Sequence, residues 1–453
     1  MNRSKYIALT FQSLLLIGIA SINLQQVLGQ ETLSLEEAVK TALENNQQIK
    51  IQQYNVDIST LRVHPSLVGR RPVLSLNGSY ELGWSDADIE TLSFTPGAEG
   101  NTELGLDGYS QDIIISPELS MNIYDGQSGK YRLDQLKTAN DLAILQLRQT
   151  IEQTISDVSN AYLLLAEQQS LVEITQQSIT VGQERLERVS ADESYGNAGS
   201  LQRLQVSVDL KSDSAGLRSQ LLNVTNSRRN LNRLMGVALS KTYEVDTEVV
   251  VNEQLSLEVL STSLLENSTL LKLNQQNIKL ADLDVALSKV AYRPQLQGYV
   301  NASYVNLTDE ANFLQANRTL GPNVGLRLNM TLFDGGARKI NKQTALLTYQ
   351  QRNLERKDVE GELMKELQNA FAIYQNTLEL LRIERSNLLS FEKNLENMQN
   401  MQGLGLATYT DVRTAQLNLN AARNRINTYQ FNIKQAEVAL YNLSGQLIDE
   451  QDP

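Results

Sequence analysis

Cysteine is absent from these 453 residues, and histidine occurs once, at His64. Disulfides, thiolate metal sites, cysteine nucleophiles and a lipid anchor on an N-terminal cysteine are therefore excluded. A single histidine assembles neither a metal cluster nor a triad, so the sequence offers no catalytic or metal site and calls for no cofactor. Proline is scarce, at 7 residues, which leaves room for very long uninterrupted helices. Positive charge is in deficit: 40 basic against 52 acidic residues give a net charge of -12, the wrong sign for coating nucleic acid. Apolar runs are short. Beyond the N-terminal segment, nothing approaches the ~20 residues of a membrane-spanning helix. An enzyme is not expected.

The N-terminal segment reads as an address. Arg3 and Lys5 precede an apolar stretch from Ile7 to Ala20, and Val27-Leu28-Gly29 offers small or medium residues where a signal peptidase reads. A charged start, a short apolar core and a cleavage site predict a signal peptide over residues 1–29, exporting the mature chain.

The remainder is written twice. Leu33-Ser34-Leu35-Glu36 recurs as Leu255-Ser256-Leu257-Glu258, a shift of 222 residues. The same shift carries Leu43-Glu44-Asn45 onto Leu265-Glu266-Asn267, and Arg71-Pro72 onto Arg293-Pro294. Farther along the shift is 209: Tyr124-Asp125-Gly126 matches Phe333-Asp334-Gly335, and Asn160-Ala161-Tyr162 matches Asn369-Ala370-Phe371. Leu234-Met235-Gly236 and Leu443-Ser444-Gly445 match at that shift too. Six matches in order at two constant shifts indicate a tandem duplication. The first repeat is placed at 30–240 and the second, with a short C-terminal tail, at 241–453. The 13-residue difference between the shifts puts an extra loop in the first copy between Pro72 and Tyr124.

Each copy opens with a helical pattern, exemplified by Leu35, Val39, Leu43, Ile49 and Val56 after Ser34 as N-cap. Pro72 and Pro294 are expected to end that helix. The period then becomes two. Leu74, Leu76, Gly78, Tyr80, Leu82 and Trp84 share one face, as do Ile115, Pro117, Leu119, Met121 and Ile123. The second copy repeats this with Leu296, Gly298, Val300, Ala302 and Tyr304, then Val324, Leu326, Leu328, Met330 and Leu332. These predict four strands of about ten residues, suited either to a transmembrane barrel or to a soluble half-buried sheet. Membrane barrels need about 8 strands or more, so four per chain cannot close alone. Either the sheet is soluble or several chains share a barrel, because an open edge in lipid leaves backbone groups unpaired.

The rest is helix. Ile144, Leu147, Ile151, Ile155, Val158, Tyr162 and Leu165 average 3.5 residues apart, as do Ala422, Ile426, Tyr429, Ile433, Ala436, Leu440 and Leu443. That spacing is a coiled-coil seam. Uninterrupted helices are predicted from Gly129 to about Ser190 and from Ala337 to about Gln402, each turning back at glycines: Gly196 and Gly199, then Gly403 and Gly405.

Several motifs carry little. Gly126-Gln127-Ser128-Gly129-Lys130 lacks the first glycine of a phosphate loop, and Tyr131 replaces its Ser or Thr. His64, before Pro65, suits a capping or surface role. Glu152 and Asp157 are expected on solvated faces. Ser85 to Gln111 reads as a loop holding six acidic residues and no Lys or Arg, either outward-facing or merely solvated.

A signal peptide and a doubled helix–ribbon–long-hairpin unit together resemble the TolC-like outer-membrane factors. The likeness rests on the openings Leu33 to Asn46 and Leu255 to Asn267, on Arg71-Pro72 and Arg293-Pro294, and on Phe333-Asp334-Gly335-Gly336. The tip from Gly405 to Asp411 and the closing Leu443-Ser444-Gly445 complete it, over residues 31–446. The resemblance implies an α+β fold: duplicated helical hairpins forming an α-barrel tunnel, and four strands per chain in a homotrimeric twelve-stranded transmembrane β-barrel. It implies an outer-membrane channel for efflux or type I secretion, with a periplasmic helical portion, a periplasmic adaptor, and an inner-membrane pump or ABC exporter. The hairpin tips that would meet the adaptor are Gly196, Asn197 and Ala198, and Gly405, Leu406 and Ala407. The family's acidic constriction maps to Asp411, with Thr414 and Gln202 where relatives carry further acids. Thr408-Tyr409-Thr410-Asp411 equally fits a capping box, a role compatible with a gate. Tyr80 and Trp84 are candidates for an interfacial aromatic belt. The alternative is a soluble periplasmic coiled-coil scaffold carrying a small soluble sheet.

Overall fold

The structure, a computed structural model, describes residues 32–91, 102–196, 198–310 and 316–448. The proposed signal peptide and Asn197 lie outside the described residues. In chain order the elements are β1 (Thr32–Leu33), α1 (Leu35–Asn45), α2 (Gln47–Arg62), β2 (Val73–Thr91), β3 (Thr102–Tyr124), α3 (Ser128–Ser194) and α4 (Ser200–Leu234). Then follow β4 (Glu244–Val245), α5 (Leu257–Asn267), α6 (Thr269–Val290), β5 (Gln295–Asp309), β6 (Ala316–Asn329), α7 (Ala337–Gly403) and α8 (Tyr409–Leu443). The order helix, helix, strand, strand, long helix, return helix occurs twice. Both long helices have 67 residues, which at 1.5 Å per residue is about 100 Å each.

The compact units do not coincide with the repeats. Among the described residues, one is drawn from 32–52, 147–271 and 359–448, the other from 53–146 and 272–358.

The first unit holds two apolar clusters of matching composition. In one, Ala38 and Ala42 of α1 meet Val158, Tyr162 and Leu165 of α3, with Val224 and Leu231 of α4. In the other, Leu260 and Leu264 of α5 meet Leu367, Phe371 and Tyr374 of α7, with Ile433 and Leu440 of α8. Each residue of the second set is the repeat mate of one in the first, at 222 or 209. One polar detail is conserved by relocation. The Tyr162 hydroxyl donates to the Leu33 carbonyl (2.9 Å) and accepts from the Asp246 N–H (3.1 Å). Its mate Phe371 has no hydroxyl, and Tyr374, one turn along, donates to the Asn252 carbonyl instead.

Both opening helices are broken in two. Ser34 caps α1 through a reciprocal bond with Glu37, as its sequence position indicates. At Asn46 and Ser268 the backbone leaves the helical region, and a second helix starts at the next residue. The Asn46 side chain supports the break, donating to the Leu234 carbonyl and accepting from Gln48 N–H. The expected end at Pro72 is also too late. Pro65 ends α2 by excluding His64 from helical angles, and residues 65–68 form a 3-10 turn whose first N–H bonds His64 Nδ1. His64 is thus a cap. In the second copy Leu287 stands in place of Pro65, and α6 continues to Val290.

In the second unit, β2, β3, β5 and β6 form one antiparallel sheet in that order. The strands run to 19, 23, 15 and 14 residues, longer than the ten expected from alternation. Met330 and Leu332 fall past the end of β6. The extra residues of the first copy do not form a loop over 85–111: Ser85 pairs with Gly108 and Thr91 with Thr102. β3 meets β5 only up to Ser110, so the surplus extends the β2–β3 ribbon beyond the four-stranded part. Pairing dominates there because backbone N–H and C=O groups are better satisfied by a ladder than by a disordered acidic stretch.

Two further expectations change. Ile144, placed in the helical seam, is exposed. Glu152, expected in solvent, is buried and accepts from Arg148 and from the Thr269 hydroxyl (2.7 Å), while Asp157 is exposed.

Candidate functional site

Two regions bring the sequence candidates together: the hairpin tips in the first unit and the sheet face in the second.

At both tips a long helix ends in a left-handed glycine, Gly196 at φ 81° and Gly405 at φ 74°. A side chain added at either would meet nothing within 4 Å, so the backbone angle alone demands glycine. The Leu406 N–H returns to the Met401 carbonyl and the Ala198 N–H to the Asp192 carbonyl, satisfying carbonyls the helix ends leave free. Leu406 is exposed at the turn, while Ala407 and Ala198 are partly covered. The return helices start in related ways. Asp411 accepts from the Thr408 N–H (2.8 Å) and hydroxyl (2.7 Å), and its own N–H donates to the Thr408 hydroxyl. Gln202, its repeat mate, accepts from the Gly199 N–H (2.9 Å). These bonds hold the exposed Asp411 carboxyl below its usual pKa. Thr414 is exposed and donates to the Thr410 carbonyl. Asp411, Gln202 and Thr414 are therefore local to the first turns of the return helices.

What ties α8 to the first hairpin lies beside them and escaped the sequence reading. The Tyr409 hydroxyl donates to Asp192 (2.5 Å); burial first, and this carboxylate second, push its pKa up to about 12. Arg413 grips Asp213 with two bonds (2.8 and 2.6 Å) and approaches Asp209 at 3.7 Å. Arg185 pairs with Asp209 (3.2 Å) and reaches Gln416, whose amide donates to Ser178. Burial, then the neighbouring Arg413, lowers the Arg185 pKa, whereas the bond to Asp213 raises that of Arg413. One signal was available. The mates of Arg185, Asp209, Asp213 and Arg413 are Asn394, Asn418, Ala422 and Leu204, so these charges break the repeat.

On the sheet, the cross-strand register collects the alternating apolar residues on one side. Leu74, Leu119, Val300 and Val324 stand in a row across all four strands, and Ile115, Tyr304 and Leu320 in another. All seven are exposed. Tyr80 and Trp84 share this face and are exposed; Trp84 sits directly opposite Tyr109, an exposed aromatic the sequence reading passed over. Side chains off this face make polar contacts, with Arg327 donating to Gln297 and stacking on Tyr299. Among the described residues, β2 and β6 each have a neighbour on one side only.

The strand-to-helix junctions are built alike. Asp125 accepts from the N–H groups of Gln127 and Gly129, and Asp334 from those of Gly336 and Arg338. The stretch from Gly126 to Lys130 is thus a helix start, in line with its lack of a phosphate-loop pattern. Among the described residues, no group of His, Cys, Asp and Glu side chains is placed to hold a metal ion, and no helix is long and apolar enough to cross a membrane.

A family model described as outer membrane efflux protein matches residues 38–237 and 260–446. The outer membrane efflux protein BepC of Brucella suis is 28% identical over 189 residues, covering 42% of this chain and 40% of that protein. The match spans about two fifths of that relative's length. Among solved structures, the outer membrane protein VceC of Vibrio cholerae superposes with a TM-score of 0.71 at 14% identity, covering 91% of this chain and 96% of that one. The CmeC outer membrane channel of Campylobacter jejuni gives 0.70 at 14% identity, over 92% and 87%. At such identities these two establish the shared fold.

Proposed function

Because the chain belongs to the outer membrane efflux protein family, we propose that it is the outer-membrane channel of an efflux or type I secretion system, assembled as a homotrimer. The observation carrying this reading is a four-stranded sheet that, among the described residues, has one apolar face uncovered and both edges unpaired. Lipid tolerates only closed barrels, and three such sheets make twelve strands, an allowed number. The antiparallel order lets β6 of one copy pair with β2 of the next in the same alternating sense. The soluble-scaffold alternative leaves that apolar face facing water.

In this reading residues 30–240 and 241–453 are the two repeats, and the signal peptide at 1–29 exports the chain. Tyr80 and Trp84, joined by Tyr109, form part of the interfacial belt. The tips around Gly196 and Gly405 meet a periplasmic adaptor, which links the channel to an inner-membrane pump or ABC exporter. Asp411 contributes a ring of three carboxylates at the narrow end, with Thr414 and Gln202 beside it. The chain performs no chemistry; its partners supply the driving force. Fractionation and light scattering test this. The protein should resist extraction from outer membranes by high salt, require detergent, and run as a trimer. A protein that washes off as a monomer overturns the reading.

A further inference from the structure

The two ends of the sheet differ in charge. At one end lies the acidic stretch of the β2–β3 ribbon; at the other, all four strands meet helices. The meeting segments, residues 62–71, 125–134, 289–293 and 334–342, hold ten basic side chains and three acidic ones, in a chain that is acidic overall. The three acids are already engaged. Asp125 and Asp334 accept from helix-start N–H groups, and Asp134 pairs with Lys137 (3.5 Å). Arg338 shares Asp334, and Arg293 donates to the Gly126 carbonyl. Among the described residues, the other eight cations have no carboxylate partner.

A cavity opens beside two of them. β3 outruns β2 at this end: Val73 pairs with Ser120, so Met121 to Tyr124 have only β5 beside them among the described residues. The turn from Pro65 to Arg70 stands across the gap and leaves a cavity of about 670 Å³. Its lining is amphipathic. Met121 and Ile123 continue the apolar face of the sheet and are 45% and 58% exposed. Arg70 and Lys130 line the same cavity and are exposed. The turn is fixed against β3 by the Asn122 side chain, which donates to the Gly69 carbonyl (3.3 Å). The Arg70 stem is held against Gly129, where an added Cβ would come within 3.0 Å of its Cγ.

The second copy uses its cation internally. Tyr292 is the repeat mate of Arg70, and Arg338 that of Gly129. Arg338 stacks on Tyr292 and bonds Asp334 and the Ala291 and Leu332 carbonyls. In the first copy two cations are left for an anion from outside. We propose that this cavity holds an anionic phospholipid, its phosphate between Arg70 and Lys130 and its acyl chains along Met121 and Ile123. Paired cations select a negative headgroup, and an apolar wall continuous with the sheet face selects a ligand with chains. This rests on the membrane reading above and adds a ligand to it, one per chain and three per trimer.

The test is native mass spectrometry of the protein in mild detergent, titrated with phosphatidylglycerol or phosphatidylcholine. The trimer should retain three phosphatidylglycerol molecules more tightly than any that follow, and show no such step with phosphatidylcholine. Arg70→Gln with Lys130→Gln should weaken these three about thirtyfold, at about fivefold per cation beside an anionic headgroup. Lys130→Gln alone, at an exposed position, should weaken them about fivefold and keeps the test decisive if Arg70 is needed for folding. Lys339→Gln with Lys342→Gln removes the same charge from the second copy's junction and should leave the three lipids bound. Excess glycerol 3-phosphate should displace none of them; displacement would make this a site for free phosphate and overturn the lipid. A trimer that binds both lipids alike, or loses phosphatidylglycerol equally in both double variants, overturns the cavity and leaves the channel standing. A monomer that salt washes from membranes overturns both.

Discussion

Asp411 caps α8 through Thr408, and the proposed gate asks the same carboxylate to face the channel. Its bonds to Thr408 lower its pKa, so the stabilisation is complete above the ordinary value of 3.8 and is lost as pH falls through the lower folded value. Hydrogen exchange in the first turn of α8 should therefore stay slow until pH drops below that range, and Asp411→Asn should remove the acid step. In single-channel recordings the same variant should weaken block by multivalent cations, because the proposed ring of three carboxylates is lost. Arg413 is a second test at this scale. Arg413→Leu installs the residue of its repeat mate but strands Asp213, whose side chain is 16% exposed. We expect a loss of about 3 kcal/mol in thermal unfolding, since the orphaned charge stays largely buried. Adding Asp213→Ala, the mate's residue again, should recover most of it.

Among elements, the clearest comparisons lie between the two copies. Asp125 and Asp334 each terminate a ribbon and start a 67-residue helix, and the second carboxyl is held below its usual pKa chiefly by the N–H of Arg338. Asp334→Ala should lower the thermal unfolding midpoint, as lost caps do, and Asp125→Ala should lower it in the same direction. Pro65 is the opposite case, a local breaker present in one copy only. Pro65→Leu, the residue found at 287, should let α2 run on toward Val68. Slower hydrogen exchange over residues 63–69 would register this; unchanged exchange would mean that tertiary packing, not proline, holds the turn.

For the whole molecule, the apolar sheet face decides the environment. Leu76→Arg places a charge on that face and should cost about 2–4 kcal/mol near the bilayer midplane, lowering the yield of assembled protein in outer membranes. Asn77→Arg, on the opposite face of β2, should assemble normally. Equal loss from both substitutions would argue against lipid on the apolar side.

The sequence by itself determined the α+β class, the doubling, the two long helices, the faces of all four strands and the glycine turns. Each of these is a local matter: periodicity, a left-handed angle or a missing proline acts within a few residues. Ser34 and Thr408 were legible as caps for the same reason. Tertiary structure alone decided the rest. It broke the opening helices at Asn46 and Ser268, where an Asn side chain found a carbonyl almost two hundred residues away. It drew the acidic stretch into a ribbon, because a strand already begun offers its neighbour a ladder of bonds. It buried Glu152 against Thr269 and joined Arg413 to Asp213, pairs separated by 117 and 200 positions that no local pattern encodes. Which apolar stripes are covered was likewise undecidable from periodicity. Thr138 and Leu347 occupy equivalent positions in the two copies, yet the first is buried and the second exposed.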